Sequence, residues 1–433
     1  MSQRLLFTNG FDIQGRPIEF SVADTRIADW VVESTLNRDG SEEVIDLAGK
    51  TVSPSFVDLH THLREPGKED AETVISGSRA AVKGGFGAIS AMPNTNPVAD
   101  TAGVVEQVYS LGMEAGLCDV FPIGAVTVGQ QGERLAEILA MAESRAKVRI
   151  FSDDGHCVSD PVLMRRALEY VKIFDGVVAQ HAQEPGLTKD AQMNEGEVSA
   201  RLGLKGWPAV AEEAIIARDV LLADHVGSRL HICHVSTAGS VEIIRWAKAR
   251  GIAVTAEVTP HHLLLTEDLA STYDPIYKVN PPLRSEKDVQ ALREGLADGT
   301  IDIIATDHAP HPQEAKDCEW DAAAFGMLGL ETALSVSFKA MVSTGLMTFE
   351  RLIDSMTVKP AQIGGFLDHI DPLKPGGLAS FTVIDRDKPW RVDRDQSLSR
   401  SRNTPFHGFE VECYVDDVMY RGSWVLREGT VLR

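Results

Sequence analysis

From about residue 52 the sequence alternates short apolar, β-branched runs with longer stretches of helical periodicity. The runs are "TVSPSFVDLH", "FGAISAMPN", "DVFPIGAVTV", "KVRIFSDD", "GVVAQHAQE", "RLHICHVST", "AVTAEVTPHH" and "DIIATDHAP", each closing on polar or turn-forming residues. Between them lie "AETVISGSRAAVKGG", "PVLMRRALEYVKIFDG", "AEEAIIARDVLLADHVG", "SVEIIRWAKARG" and "KDVQALREGLADG", several with a glycine where a helix would stop. A further helical stretch, "GLETALSVSFKAMVSTG", follows the last run. Strands separated by helices predict a parallel sheet with crossover connections. Eight such units predict an α/β fold of the (β/α)8 type, a TIM barrel, with its active site at the C-terminal ends of the strands. An open doubly wound sheet is the competing architecture for the same alternation.

The two ends of the chain read differently. "LLFTNGFDI", "IEFSVADTRIADWVV" and "EEVIDLAGKTV" near the start, and "ASFTVIDRD" and "EVECYVDDVMYRGSWVLREGTVLR" near the end, are short strands with turns between them. Both ends are expected to pair into one small flanking β domain. Residues 1–52 would be its N-terminal part, 53–365 the barrel, and 366–433 its C-terminal part.

Composition bounds the partners. With 42 Lys and Arg against 63 Asp and Glu, the formal net charge of -21 argues against a nucleic acid or an anionic membrane. An anionic substrate would need a cationic pocket of its own. The five cysteines, Cys118, Cys157, Cys233, Cys318 and Cys413, are scattered without CxxC spacing, so neither a disulfide framework nor a thiolate zinc site is expected. The start, "MSQRLLFTNGFDIQGR", lacks a signal-peptide pattern, and no run approaches about 18 apolar residues; the expectation is a cytoplasmic enzyme.

The chemistry begins in "FVDLHTHLREPG". Side chains two apart on a strand share a face, so His60 and His62 can reach one point at the barrel mouth and bind a divalent metal. The fourth run ends in Asp153 and Asp154, the fifth in His181, the sixth in His234, and the eighth in Asp307 followed by His308. Ligand-type residues therefore recur at one end of five strands. Four histidines and two carboxylates exceed what one tetrahedral ion needs, which points to two ions sharing a bridging carboxylate and hydroxide. Imidazole with carboxylate suits zinc, with manganese and cobalt as alternatives. Such ions activate water against a carbonyl, so hydrolysis is the expected chemistry, with Asp307 taking the water proton and returning it to a leaving nitrogen. Plainer readings stand beside these. The histidines could be half-buried and bonded to backbone, Asp307 a ligand only, and Arg64 a surface partner of Glu65 or Glu69.

Taken together, "FVDLHTHLREPGKEDAETVISG", "AMPNTNPVAD", "FSDDG", "HICHVSTAGSV", "EVTPHHLLLT", "YKVNPPLR", "IIATDHAPH", "FGMLGLETAL" and "SRNTPF" resemble the bacterial class I dihydroorotases of the amidohydrolase superfamily. The likeness spans almost the whole chain. HxH alone is common to the superfamily, whereas "HLREPG" joined to "MPNT", "NPPLR" and "ATDHAPH" is specific. The resemblance implies two zinc ions: His60, His62 and Asp307 on one, His181 and His234 on the other, and Asp154 bridging them where other members use a carbamylated lysine. Asp153 is the competitor for the bridge; Asp154 is chosen because it stands directly before the glycine.

It further implies that Arg64, helped by Asn94 and His311, holds the substrate α-carboxylate, while Asn280 and the backbone of Phe325 and Gly326 contact the pyrimidine ring. His62 would face the substrate as well. His261 and His262 are expected to lie on a strand, pointing to opposite faces, without a ligand role; His156, Cys157 and Cys233 are read as packing or loop residues. Two departures are noted: Ser55 replaces a customary glycine, and "QHAQEPG" stands where many members have His-Cys-Glu-Asp, which would alter the surroundings of His181. The activity implied is interconversion of N-carbamoyl-L-aspartate and L-dihydroorotate in pyrimidine synthesis. A hydantoinase or allantoinase is the enzymatic alternative, and a silent scaffold for aspartate transcarbamoylase the non-catalytic one. The likeness also implies a homo-oligomer, with or without that transcarbamoylase.

Overall fold

The computed structural model describes residues 4–38 and 40–432. Eight parallel strands surround a buried interior: β1 (Phe56–Thr61), β2 (Phe86–Ala91), β3 (Asp119–Pro122), β4 (Ile150–Phe151), β5 (Val177–Gln180), β6 (Leu230–Ile232), β7 (Val254–Val258) and β8 (Ile303–Ile304). Hydrogen bonds join β1 to β3 as one sheet and β4 to β8 as another. Single parallel bridges complete the ring, Gly124 with Phe151 on one side and Thr61 with His308 on the other. The open doubly wound alternative is thereby set aside.

Alternation along each strand divides its side chains between two layers. Val57, Ala88, Ile150, Val177 and Ile303 fill the barrel interior and pack on Ala361 and Phe366, which cover its lower end. Phe56, Ile89, Val178, Ile232 and Val258 face outward into the surrounding helices. Those helices begin and end where the sequence supplies caps. Val74–Lys83 opens on a reciprocal box in which Thr73 and Ser76 bond each other's backbone N–H. Val210–Val226 stops at Gly227, whose φ of 68° is free of cost only for a residue without Cβ.

Three local readings are corrected. "AVTAEVTPHH" does not remain a strand to its end: Thr259 accepts the N–H of His262, Pro260 takes the first helical position, and Pro260–Leu264 is a short helix. His261 and His262 therefore sit on a helix, still outside the ligand cluster. "TVSPSFVDLH" is two strands, Thr51–Pro54 in the terminal sheet and β1 in the barrel. The stretch after β8 is no single helix but Leu330–Thr332 in 3-10, Ala333–Ser337 in α and Phe338–Val342 in π geometry.

Strands from both ends of the chain build one nine-stranded sheet beside the barrel. Its joint is the antiparallel pairing of Thr51–Pro54 with Phe381–Asp385, and Thr51 continues in parallel to Leu5–Phe11. Phe7 stacks on Phe20 at 4.4 Å between ring centroids, with Phe381 edge-on to both. Aromatic faces from the two termini thus close a core that neither end could form alone.

Candidate metal centre and substrate pocket

The cluster forms where β1, β4, β5, β6 and β8 release the chain. His60 is the penultimate residue of β1, and ladder irregularities on either side of Asp58 re-aim its neighbours. His60 Nδ1 lies 2.6 Å from Glu257 Oε1, so that nitrogen carries the proton. Its Nε2 is buried without a hydrogen-bond partner among the described residues, 3.4 Å from both Asp154 Oδ1 and Asp307 Oδ1. A buried imidazole lone pair aimed between two carboxylates is a metal-ligand position.

The other groups converge on the same point. His62 Nδ1 faces Asn94 Oδ1 at 3.0 Å, leaving Nε2 3.0 Å from Asp307 Oδ1 and 3.3 Å from Asp154 Oδ2. His181 turns Nε2 to Gln183 Oε1 at 2.8 Å and keeps Nδ1 3.1 Å from Asp154 Oδ1. His234 Nε2 stands 3.3 Å from the same oxygen. In each of these three rings except His234 an outer partner fixes the tautomer and frees one lone pair inward. Ligand atoms of His60, His62 and Asp307, and of His60, Asp154 and His234, lie within 4.8 Å of one another. Three non-glycine residues here, Arg64, His234 and Asp307, have left-handed backbone, with φ of 64°, 29° and 47°. Such conformations persist where surrounding contacts hold them, typically at working sites.

The electrostatics call for a cation. Burial opposes charge on His60, but the carboxylates of Asp154, Glu257 and Asp307 outweigh it and hold the imidazole well above the usual histidine range. Asp307 is likewise raised by burial and pulled lower by His60 and His62, ending well below the ordinary carboxylate range. Cys233, which also adjoins His60, has a thiol pushed up by burial and serves as packing.

Asp153 and Asp154 separate cleanly. Asp153 accepts the N–H groups of Val126 and Thr127 at 2.8 and 3.0 Å and the Thr127 hydroxyl at 2.5 Å, so both its oxygens are committed to the neighbouring loop. Asp154 alone of the two faces the histidines. Glu257 escaped the sequence reading, as did Asp58, which accepts from His60 N and the Thr306 hydroxyl. Glu257 also meets His231 Nε2 at 2.9 Å. Burial raises it, and His60 and His231 outweigh that and bring it down to about 2. The available signal was a carboxylate inside an otherwise apolar strand run, a position a soluble fold does not spend without a partner.

The substrate side is assembled around Arg64. It is buried, its Nε donates to Pro310 O at 3.1 Å, and among the described residues it forms no ion pair with a carboxylate. Glu65 instead accepts the Val74 N–H at 2.8 Å and caps a helix, while Glu69 accepts from Gly67 N. His311 donates from Nε2 to Phe325 O at 2.8 Å; burial, with Arg64 and Lys316 nearby, pushes it down to about 3, so the ring is neutral. Asn280 donates to Gln183 at 3.1 Å, and its Oδ1 is buried without a partner among the described residues. Gly326 has a φ of 145°, and a Cβ there would stand 2.7 Å from His311 Nε2. Only glycine allows that approach.

Fold and site define an α/β barrel hydrolase with a histidine–carboxylate cluster at its mouth. L-Hydantoinase (dihydropyrimidinase) from Arthrobacter aurescens matches over 100% of this chain and 98% of its own, with a TM-score of 0.87 at 26% identity. Dihydropyrimidinase from Brevibacillus agri shares the fold, with a TM-score of 0.83 at 20% identity over 99% of this chain and 96% of its own. Residues 49–240 match the family model described as Dihydro-orotase-like. The dihydroorotase of Streptomyces coelicolor is 63% identical over 94% of this chain and 95% of its own length, and that of Mycobacterium tuberculosis 49% identical over 96% and 97%. The chain belongs to the dihydroorotase family.

Proposed function

We propose that the chain interconverts N-carbamoyl-L-aspartate and L-dihydroorotate, a step of pyrimidine biosynthesis, at two zinc ions. His60, His62 and Asp307 would hold one, His181 and His234 the other, with Asp154 between them. When bound, the ions supply Lewis acidity toward a carbonyl and make water nucleophilic at neutral pH. The chain's own groups do the rest. Arg64 presents the Nη side of its planar fork to the α-carboxylate, and its Nε is already held by the Pro310 carbonyl. Asp307, at the ring-amide side, takes a proton from the attacking water on its carboxylate oxygen and delivers it to the departing ring nitrogen. Glu257 and Asn94 hold His60 and His62 in the tautomer that keeps Nε2 free. Asn280 Oδ1 offers an unused acceptor to a ring N–H. In the cyclising direction the same proton movements run in reverse.

The observation that carries this reading is a buried arginine, Arg64, with no carboxylate partner among the described residues, beside the ligand cluster. A hydantoin or allantoin brings no carboxylate to that place, which disfavours those substrates. The scaffold alternative is disfavoured because all six ligand residues are present and gathered. We take the barrel as the hydrolase unit and the flanking ends as its support; the expected boundary at residue 53 moves to Phe56, because Ser53 and Pro54 belong to the terminal-sheet strand Thr51–Pro54. Purified protein assayed for dihydroorotate hydrolysis, with metal measured on the same sample, tests the reading. Turnover with two zinc per chain supports it; no turnover in zinc-loaded protein that co-purifies with aspartate transcarbamoylase favours the scaffold.

A further inference from the structure

The segment "SLSRSRNTPF", residues 397–406, crosses the barrel mouth far from any strand of the barrel in sequence. It is fastened on both sides of its middle. Glu331 accepts from the Ser397 hydroxyl at 2.5 Å and from Leu398 N at 2.9 Å. Glu72 accepts from the Ser399 hydroxyl and from Arg400 N, and Ser401 Oγ donates to Ala71 O at 2.8 Å. Beyond them Phe406 is fully buried against Met327 and Val279. None of these anchors uses the side chain of Asn403.

That side chain is nonetheless buried and fully engaged, all of it toward the substrate side. Its Nδ2 donates to Ala309 O at 2.9 Å and Gly326 O at 3.2 Å, and its Oδ1 accepts from His311 N at 3.2 Å. Its backbone carbonyl accepts from Leu328 N at 3.1 Å. One amide therefore spans the loop after β8, which carries His311, and the separate loop carrying Phe325 and Gly326. The pairing requires both hydrogens of a primary amide and its oxygen at once. A carboxylate of the same shape would set an oxygen against two carbonyls, and an apolar side chain would strand all three groups.

We infer that Asn403 is a positioning residue: delivered by the C-terminal strap, it holds the two loops that contact the substrate in register with each other. The inference rests on the functional reading above, because it takes His311 and the 325–326 backbone as substrate contacts. Loss of a holding contact misplaces a binding group without touching the ions, so the defect belongs in KM.

The test compares wild type, Asn403→Ala and Ser401→Ala, the last removing an anchor of the strap and leaving the amide alone. Each is zinc-loaded, its bound metal and Tm are measured, and peptides spanning 305–330 are followed by hydrogen exchange. For Asn403→Ala the expected result is exchange at His311 and at 325–328 faster by at least about tenfold, and KM for dihydroorotate raised at least about tenfold with kcat changed less than about threefold and zinc content intact. Ser401→Ala is expected to lower Tm and leave KM unchanged. Unchanged exchange in Asn403→Ala, an unchanged KM, or the same KM rise in Ser401→Ala overturns the inference. If wild type does not turn over dihydroorotate, the functional reading fails, and the exchange comparison still decides whether Asn403 holds the loops.

Discussion

At the scale of single residues, the identity of the substrate turns on Arg64. Truncating one partner of a buried, charge-assisted contact costs several kcal/mol, so Arg64→Met is expected to lower kcat/KM for dihydroorotate by about 100-fold or more. Uncharged hydantoins, tested on the same preparation, should lose far less; an equal loss on both would remove the carboxylate-binding role. The adjacent aspartates give a second prediction. Asp154→Ala should lose bound zinc by elemental analysis, whereas Asp153→Asn should keep it and unfold more easily by about 1–3 kcal/mol, since it leaves donors of the Val126–Thr127 turn poorly paired. Zinc retained in full by Asp154→Ala would move the bridge elsewhere. Much of the cluster was legible in the sequence because position along a strand determines where a side chain lands: His60, His62, Asp154, His181, His234 and Asp307 all close apolar runs. Asp153 against Asp154 was not legible from spacing, since the choice depends on which carboxylate the distant Thr127 turn claims.

At the scale of elements, the strands declared themselves through apolar runs and the helices through their caps. In "TPHH" the apolar run alone predicts a strand, yet the Thr-Pro pair is itself a helix-start signal, an N-cap and first-position proline, and the local signal wins. The 316–326 segment was illegible for another reason: its support is two lysines that local pattern would place on the surface. Lys278 Nζ donates to Trp320 O at 2.6 Å and lies 4.5 Å above the Phe325 ring, while Lys316 Nζ donates to Lys278 O and Ala324 O at 3.0 and 2.9 Å. Burial, with the Lys278 ammonium nearby, pushes Lys316 down from 10.5 to about 7. Below pH 7 both folded and unfolded chains carry that proton, and the cost of burying it is fully present. Between pH 7 and 10.5 the unfolded chain keeps a proton that the folded chain releases, so stability rises with pH through this window. Measured against Lys316→Met by chemical denaturation, wild type is expected to gain about 1–3 kcal/mol between pH 7 and pH 9.5. A difference that is flat or shrinks with pH would show the ammonium to be solvated.

At the scale of the whole molecule, the barrel and the terminal sheet share one chain route. The chain leaves the terminal sheet at Pro54, enters the barrel at Phe56, and returns to pair Phe381 with Pro54. The terminal sheet was foreseeable from its alternation, but its strand order was not, because nothing local in Thr51–Pro54 names Phe381–Asp385 as partner. Among the described residues no helix is long and apolar enough to cross a membrane. Chelation should be felt globally, since ions bound only by the folded state stabilise it by mass action. Removing zinc with a chelator is expected to lower Tm by about 5 °C or more, reversed by added zinc, with hydrogen exchange rising first where β8 meets β1. An unaltered Tm after complete removal would mean the cluster is held by the barrel alone.

The single bridge between Thr61 and His308 has a consequence for how the molecule is made. His60 and His62 emerge near the beginning of the barrel and Asp307 at its end, with 245 residues of synthesis between His62 and Asp307. At about 5–20 residues per second, the ribosome takes about 12–50 s to cross that interval. For all of it the nascent chain lacks the carboxylate after β8, so the proposed set of His60, His62 and Asp307 cannot be complete before the ring is shut. On the proposed ligand set, the site of His60, His62 and Asp307 is completed only when the last strand docks against the first, whereas the group of His60, Asp154 and His234 needs no residue of β8.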